Sequence, residues 1–144
     1  MNTDHALAVY ADFFAQLTPQ RLDDLDRLFS PDARFKDPFN DVRGSAAIRR
    51  VFEHMYDTLD EPRFTVLDKS CNGCIGYLHW QFQFGSGARQ HRRNITGMSR
   101  VVFDSHGRVL EHVDYWDPAG QLYESLPVLG TVLRWTRRRL SARR

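Results

Sequence analysis

The sequence predicts a single α+β domain, and three observations carry that reading. Apolar residues recur at helical spacing through the first half, alternate with polar ones through the second, and are punctuated there by Gly-containing turns. A chain of 144 residues suits one domain and can bury a core without disulfide staples. Hydrophobic residues at 42% and charged residues at 26% fit a soluble globular chain, and no apolar run is long enough to span a bilayer.

Leu7, Tyr10, Phe14 and Leu17 form the stripe of a first helix, widened by Ala6 and Phe13. Thr18-Pro19 starts a second, with threonine as cap and proline at the first helical position, and Leu22, Leu25, Leu28 and Phe29 as its apolar face. Ser30-Pro31-Asp32 ends it. A short extended piece over Ala33 to Asp37 stops at Pro38, which pushes Asp37 out of helical geometry. Gly44-Ser45 opens a third helix with Ile48, Val51, Phe52 and Met55 on one face. Strands then follow over Phe64–Ser70, Cys74–Phe84, Asn94–Phe103 and Arg108–Trp116, with Asn72-Gly73 as a hairpin signal. In the second of these, Leu78, Trp80, Phe82 and Phe84 fall on one face, and Tyr77, His79, Gln81 and Gln83 on the other. Residues 119–126 and 128–141 read as helices split by Pro127.

The net charge of +2 averages two unlike parts. Thr131 to Arg144 holds six arginines and no acid, leaving 14 basic and 18 acidic side chains in the rest. The N-terminus carries Asp4 and Asp12 and lacks a basic region before an apolar core, so it does not read as a secretory signal, and the expected location is the cytoplasm. Cys71-x-x-Cys74 flanks a turn rather than opening a helix and has no second ligand pair, so neither redox nor zinc chemistry is expected of it. No histidine pair has metal-ligand spacing with a nearby acid, so no metal site is expected.

Three segments resemble a known family. Leu28-Phe29-Ser30-Pro31-Asp32-Ala33-Arg34-Phe35-Lys36-Asp37-Pro38 is similar to its "LF-x-x-DA-x-(apolar)-x-DP" stretch. Gly44-Ser45-Ala46-Ala47-Ile48-Arg49 is similar to the start of its third helix, and Phe103-Asp104-x-x-Gly107-Arg108-Val109 to its last hairpin. The chain thus resembles the cone-fold superfamily of nuclear transport factor 2, ketosteroid isomerase and the SnoaL-like polyketide cyclases, over roughly residues 5 to 118. The resemblance implies a cone-shaped, curved antiparallel sheet with three N-terminal helices on its concave side and a cofactor-free cavity. It implies a domain over 1–118 with a C-terminal helical extension over 119–144, and a homodimer formed through the outer face of the sheet.

Carried over by position, Asp37 matches the general base of ketosteroid isomerases, enzymes in which a second, neutral carboxylic acid helps to bind the oxyanion. The oxyanion tyrosine is replaced by Phe13, the proton-donating aspartic acid by Ser99 and a supporting tyrosine by Phe52. Steroid isomerisation by the usual constellation is therefore not expected, because an oxyanion needs strong donors. In its place His112, Asp114 and Trp116 share one face of the last strand and are implied to point into the cone. The expected catalytic set is Asp37 as first candidate base, with His112 and Asp114 as the acid/base or orienting pair. The expected ligand-lining set is Phe13, Phe52, Tyr56, Leu78, Trp80, Phe82, Ser99 and Trp116.

The leading expectation is a protein that binds a small apolar molecule in the cone, as an isomerase, cyclase or hydratase working by acid/base chemistry. A non-enzymatic binding or scaffold protein is the alternative. For Asp37 a simple turn-forming Asp-Pro stands beside the catalytic reading, and for His112 with Asp114 a satisfied buried pair. The tail, with Arg134, Arg137, Arg138 and Arg139, reads either as a membrane-surface helix or as a helix packed on the body or a dimer mate. Nucleic acid is not an expected partner, since no aromatic residues interleave with a basic face.

Overall fold

The computed structural model describes residues 1–85, 92–121, 135 and 138–141. Helix α1, Thr3–Ala15, starts at Asn2, whose side-chain oxygen accepts the His5 backbone N–H at 3.1 Å. A helix this short is marginal alone. Leu7, Tyr10, Phe13 and Phe14 are buried along it, and each such side chain contributes about 1.5–3 kcal/mol.

The second helix is shorter than its periodicity suggests. Pro19–Asp24 is a 3-10 segment, and only Leu25–Leu28 (α2) is α-helical. Phe29, predicted on the helix face, already begins strand β1, Phe29–Lys36, which continues through Ser30-Pro31-Asp32. Tertiary pairing overrides the helical pattern here: Phe29 lies opposite Val109 in the sheet and is 1% exposed. Pro31, which has no N–H to donate, sits in the stretch where the β1 register shifts.

Strand β2 (Asp41–Arg43) folds back on β1, and helix α3 (Ser45–Thr58) follows. Then come β3 (Asp60–Asn72), β4 (Ile75–Gly85), β5 (Arg92–Phe103) and β6 (Val109–Tyr115), close to the predicted meander but with a longer β3. The β3–β4 turn is one residue later than the Asn-Gly signal implies. Asn72 still pairs with Ile75, so Gly73 and Cys74 make the turn, and Gly73 takes the positive φ of 62° that a side chain resists. A short helix α4, Pro118–Gln121, follows β6. The helices predicted over 119–126 and 128–141 lie mostly outside the described residues, as do Arg134 and Arg137; Arg138 and Arg139 are helical and exposed.

The described strands form one sheet in the order β2-β1-β6-β5-β4-β3. It is curved and unclosed. Four of its five pairings are antiparallel, but β1 and β6 run parallel, so the sheet is mixed where a purely antiparallel one was expected. The parallel pair brings an early strand against the last one, with α3 and the rest of the meander as the crossover. Helices α1 and α3 pack on the concave face, and the core lies between: Leu7, Tyr10 and Ile48 from the helices meet Phe29, Val101 and Val109 from the sheet. No helix among the described residues is long and apolar enough to cross a membrane.

Candidate functional site

The concave face is set by strand parity. Trp80 lies opposite Gly97, Leu78 opposite Ser99, Ser99 opposite Asp114 and Phe35 opposite His112, so these side chains project to one side. Between them and α3 is a cavity of about 330 Å³. Phe14 of α1, Phe52 of α3, Phe64 of β3 and Trp80 and Phe82 of β4 form much of its wall. Gly97 makes room for that wall: a Cβ there would lie 2.5 Å from Trp80 Cη2 and 3.0 Å from Trp116 Cβ.

One polar array crosses the inner wall. Trp80 Nε1–H donates to Ser99 Oγ at 2.8 Å, and the Ser99 hydroxyl donates to Asp114 Oδ1. His112 Nε2 lies 2.6 Å from the same Oδ1, and His112 Nδ1 lies 2.7 Å from the Tyr10 hydroxyl. A carboxylate only accepts, so Nε2 carries the proton toward Asp114, and Nδ1 is left to accept from Tyr10. Burial, and then the negative charge of Asp114, push the Tyr10 phenol well above its ordinary value, so it stays protonated and can donate. All four donors are thus ordered toward one carboxylate. The imidazole is further fixed by Phe35, stacked on it at 4.7 Å between centroids.

Asp114 Oδ2 takes part in none of these bonds. Asp114 lines the cavity with its side chain 16% exposed, and no side-chain oxygen or nitrogen among the described residues is both buried and unpartnered. Oδ2 is therefore an accessible polar atom of the inner wall.

Asp37 lines the same cavity nearer its exposed rim, where Phe39 is 54% exposed. Its Oδ1 accepts the backbone N–H groups of Phe39 at 2.8 Å and Asn40 at 2.7 Å, and Asn40 Nδ2 lies 3.1 Å from both oxygens. This is an Asx turn. It seats Phe39 edge-on against Trp116, with centroids 5.6 Å apart.

Of the residues singled out in the sequence, Asp37, His112, Asp114, Phe52, Leu78, Trp80, Phe82, Ser99 and Trp116 line this one cavity. Phe13 and Tyr56 do not. Phe13 is buried against Phe14, one helical step away, and it is Phe14 that faces the cavity. Tyr56 lines a separate surface groove with Leu17, Pro19 and Pro62. Sequence reading missed Tyr10 as a site residue. The available signal was a phenol in an otherwise apolar helical stripe, which needs a polar partner once buried. Among the described residues no group of three or more His, Cys, Asp or Glu side chains is arranged to hold a metal ion.

The fold recurs in solved structures. A protein of ketosteroid isomerase-like fold from Catenulispora acidiphila, solved in complex with trimethylamine, has a TM-score of 0.72 at 14% identity over 88% of this chain and 96% of its own. A protein from Shewanella putrefaciens, provisionally assigned as a SnoaL-like polyketide cyclase, gives 0.69 at 18% identity, over 85% and 97%. An epoxide hydrolase from M. tuberculosis gives 0.68 at 14% identity, over 93% and 91%. Likeness at such identities shows the fold alone. No curated protein is similar enough in sequence to match. The profile of the SnoaL-like domain does match, across residues 10–112, from the Tyr10 that anchors the polar array to the His112 it holds, and the chain belongs to the SnoaL-like domain family.

Proposed function

We propose that the protein binds a small, largely apolar molecule in the cone and acts on it by cofactor-free acid/base chemistry, with Asp114 as the proton acceptor. The observation that carries this reading is the Asp114 carboxylate, fixed through Oδ1 by His112 and Ser99 while Oδ2 faces apolar walls. A base needs such orientation toward the proton it takes. The cavity's volume, about 330 Å³, lies within the ~300–1,000 Å³ that small-molecule sites occupy, which supports ligand binding over a cone filled by its own side chains. The C. acidiphila neighbour forms a complex with trimethylamine, a molecule of a size this cavity admits. The His112–Tyr10 pair is the positioning element: it holds the carboxylate through Oδ1 and leaves Oδ2 for substrate.

Two measurements test the reading. Cyclohexenone titrated against the protein should change the fluorescence of Trp80 and Trp116, and Leu78→Trp, which fills the cavity, should abolish the change. Deuterium exchange at the ketone's α-carbon, followed by NMR in D2O, should be accelerated by the wild-type protein and slowed about 100-fold or more in Asp114→Asn, the usual scale of general-base catalysis. Exchange that is unaffected by Asp114→Asn rules out Asp114 as the base.

A further inference from the structure

The cavity's charge inventory is one-sided. Nine of its lining residues carry phenyl or indole rings and two are aspartates, while none is lysine or arginine. Its two histidines do not offset this. His112 has both ring nitrogens engaged, by Tyr10 and Asp114, and His54 sits on the exposed rim. No described cationic side chain therefore faces Asp114 Oδ2 across the cavity. A carboxylate oxygen opening onto apolar walls gains most from a positively charged partner, since charge in a poorly solvated place is costly unless paired. Ring faces carry negative potential and favour the same partner. An anionic ligand would meet repulsion from Asp114 and find no arginine or lysine to compensate.

The two indoles stand beside the carboxylate. Trp80 donates to the serine that in turn donates to Asp114, and Trp116 lies two residues beyond Asp114 on the same face. Trp is the side chain best suited to hold a cation by its ring face. Elsewhere on the cavity wall, Phe64 and Phe82 are stacked at 4.5 Å, offering a surface with no polar atom.

We infer that the cavity selects a small hydrophobic cation, a protonated or quaternary alkylamine whose nitrogen lies against Asp114 Oδ2 beside Trp80 and Trp116 and whose carbon substituents rest on Phe64 and Phe82. A tertiary ammonium would give its N–H to Oδ2; a quaternary one would pair by charge alone. This rests on the proposed site, in which Asp114 Oδ2 is the polar acceptor that meets the ligand, and it makes that oxygen the counter-ion of a cationic ligand where the proposed reaction makes it the base.

The test compares two probes of the same shape, benzyltrimethylammonium and its uncharged carbon isostere neopentylbenzene, by tryptophan fluorescence and by displacement of one by the other. The cation is expected to bind about tenfold or more tightly than the isostere. In Asp114→Asn that preference should collapse while the isostere still binds, which also shows the variant folded. Equal binding of the two probes by the wild-type protein overturns the cation assignment and leaves apolar binding in the cone intact. Binding of neither overturns both. A preference undiminished in Asp114→Asn removes Asp114 as its source. Should that variant not fold, the wild-type ratio decides alone.

Discussion

The mouth and the inner wall of the cavity each contribute one aspartate, and the two carboxylates are occupied differently. Phe35 and His112 are register partners with stacked rings, and two residues on from each come Asp37 and Asp114. β1 ends just before Asp37, so nothing in the sheet claims the N–H groups of the following loop, and the Asp37 carboxylate takes them. Asp114 is still within β6, where the backbone is satisfied by the ladder, and its carboxylate is addressed by side chains from β5 and β6 through one oxygen. Position relative to a strand end, rather than residue type, decides which carboxylate is taken up by loop N–H groups and which is held by the side-chain array.

The largest blow to this contrast comes from removing the residue that orders the inner wall. His112→Ala deletes a 3%-exposed ring stacked on Phe35 and leaves the Tyr10 hydroxyl without its acceptor. The combination of a core void and an orphaned buried donor should cost about 3–5 kcal/mol, read as a loss in the denaturant midpoint at unchanged slope. A loss below about 1 kcal/mol would mean that the imidazole is not part of the core. Next is Gly97→Ala. The new methyl would collide with Trp80 and crowd Trp116, and neither is a flexible chain end. Overpacking of this kind costs about 1–3 kcal/mol, and the displaced indole should also shrink the cavity, so probe binding should weaken more than stability. Unchanged binding would detach Trp80 from the site.

Tyr10→Phe isolates the outermost link of the inner array. It removes one hydroxyl and leaves His112 Nδ1 without a donor, at a cost of about 1–2 kcal/mol. The pH dependence has a definite sign. The folded Tyr10 pKa lies above the ordinary value of about 10, so this stabilisation is intact below about pH 10 and is lost as pH rises from there toward the folded value. Alkaline melts should therefore fall less steeply in Tyr10→Phe than in the wild-type protein. Parallel curves would mean that Tyr10 does not titrate with unfolding.

How much of this was readable beforehand follows from the range of the forces involved. The β4 alternation over Leu78, Trp80, Phe82 and Phe84 is a local period, and it reappears intact on the concave face. The His112-x-Asp114-x-Trp116 spacing likewise survives, because strand parity needs no tertiary knowledge. Phe29 continues the helical period of Leu22, Leu25 and Leu28, but the partner that makes it a strand residue, Val109, is eighty residues away. Tyr10 shows the same limit for the site: its apolar periodicity was visible, but its partner His112 is 102 positions distant. Phe13 failed by a single helical step, since a stripe of adjacent phenylalanines does not say which ring faces a cavity and which faces the core.

The smallest effect separates the two aspartates most cleanly. Asp37→Asn keeps an oxygen that can accept the Phe39 and Asn40 backbone N–H groups, whereas Asp37→Ala removes it. If Asp37 is the clasp of the mouth, the asparagine variant should stay within about 0.5 kcal/mol of wild type and bind probes normally. The alanine variant should lose about 1 kcal/mol and bind more weakly, because Phe39 is no longer seated on Trp116. If Asp37 is instead a proton acceptor, both variants must fail alike in α-proton exchange, since asparagine holds the loop but cannot take a proton. The ratio of the two variants, measured beside Asp114→Asn, therefore assigns each carboxylate its role from function rather than from position. Loss of exchange in Asp37→Asn with Asp114→Asn unaffected would exchange the two roles, making the mouth the chemical end of the cavity and the inner array its support.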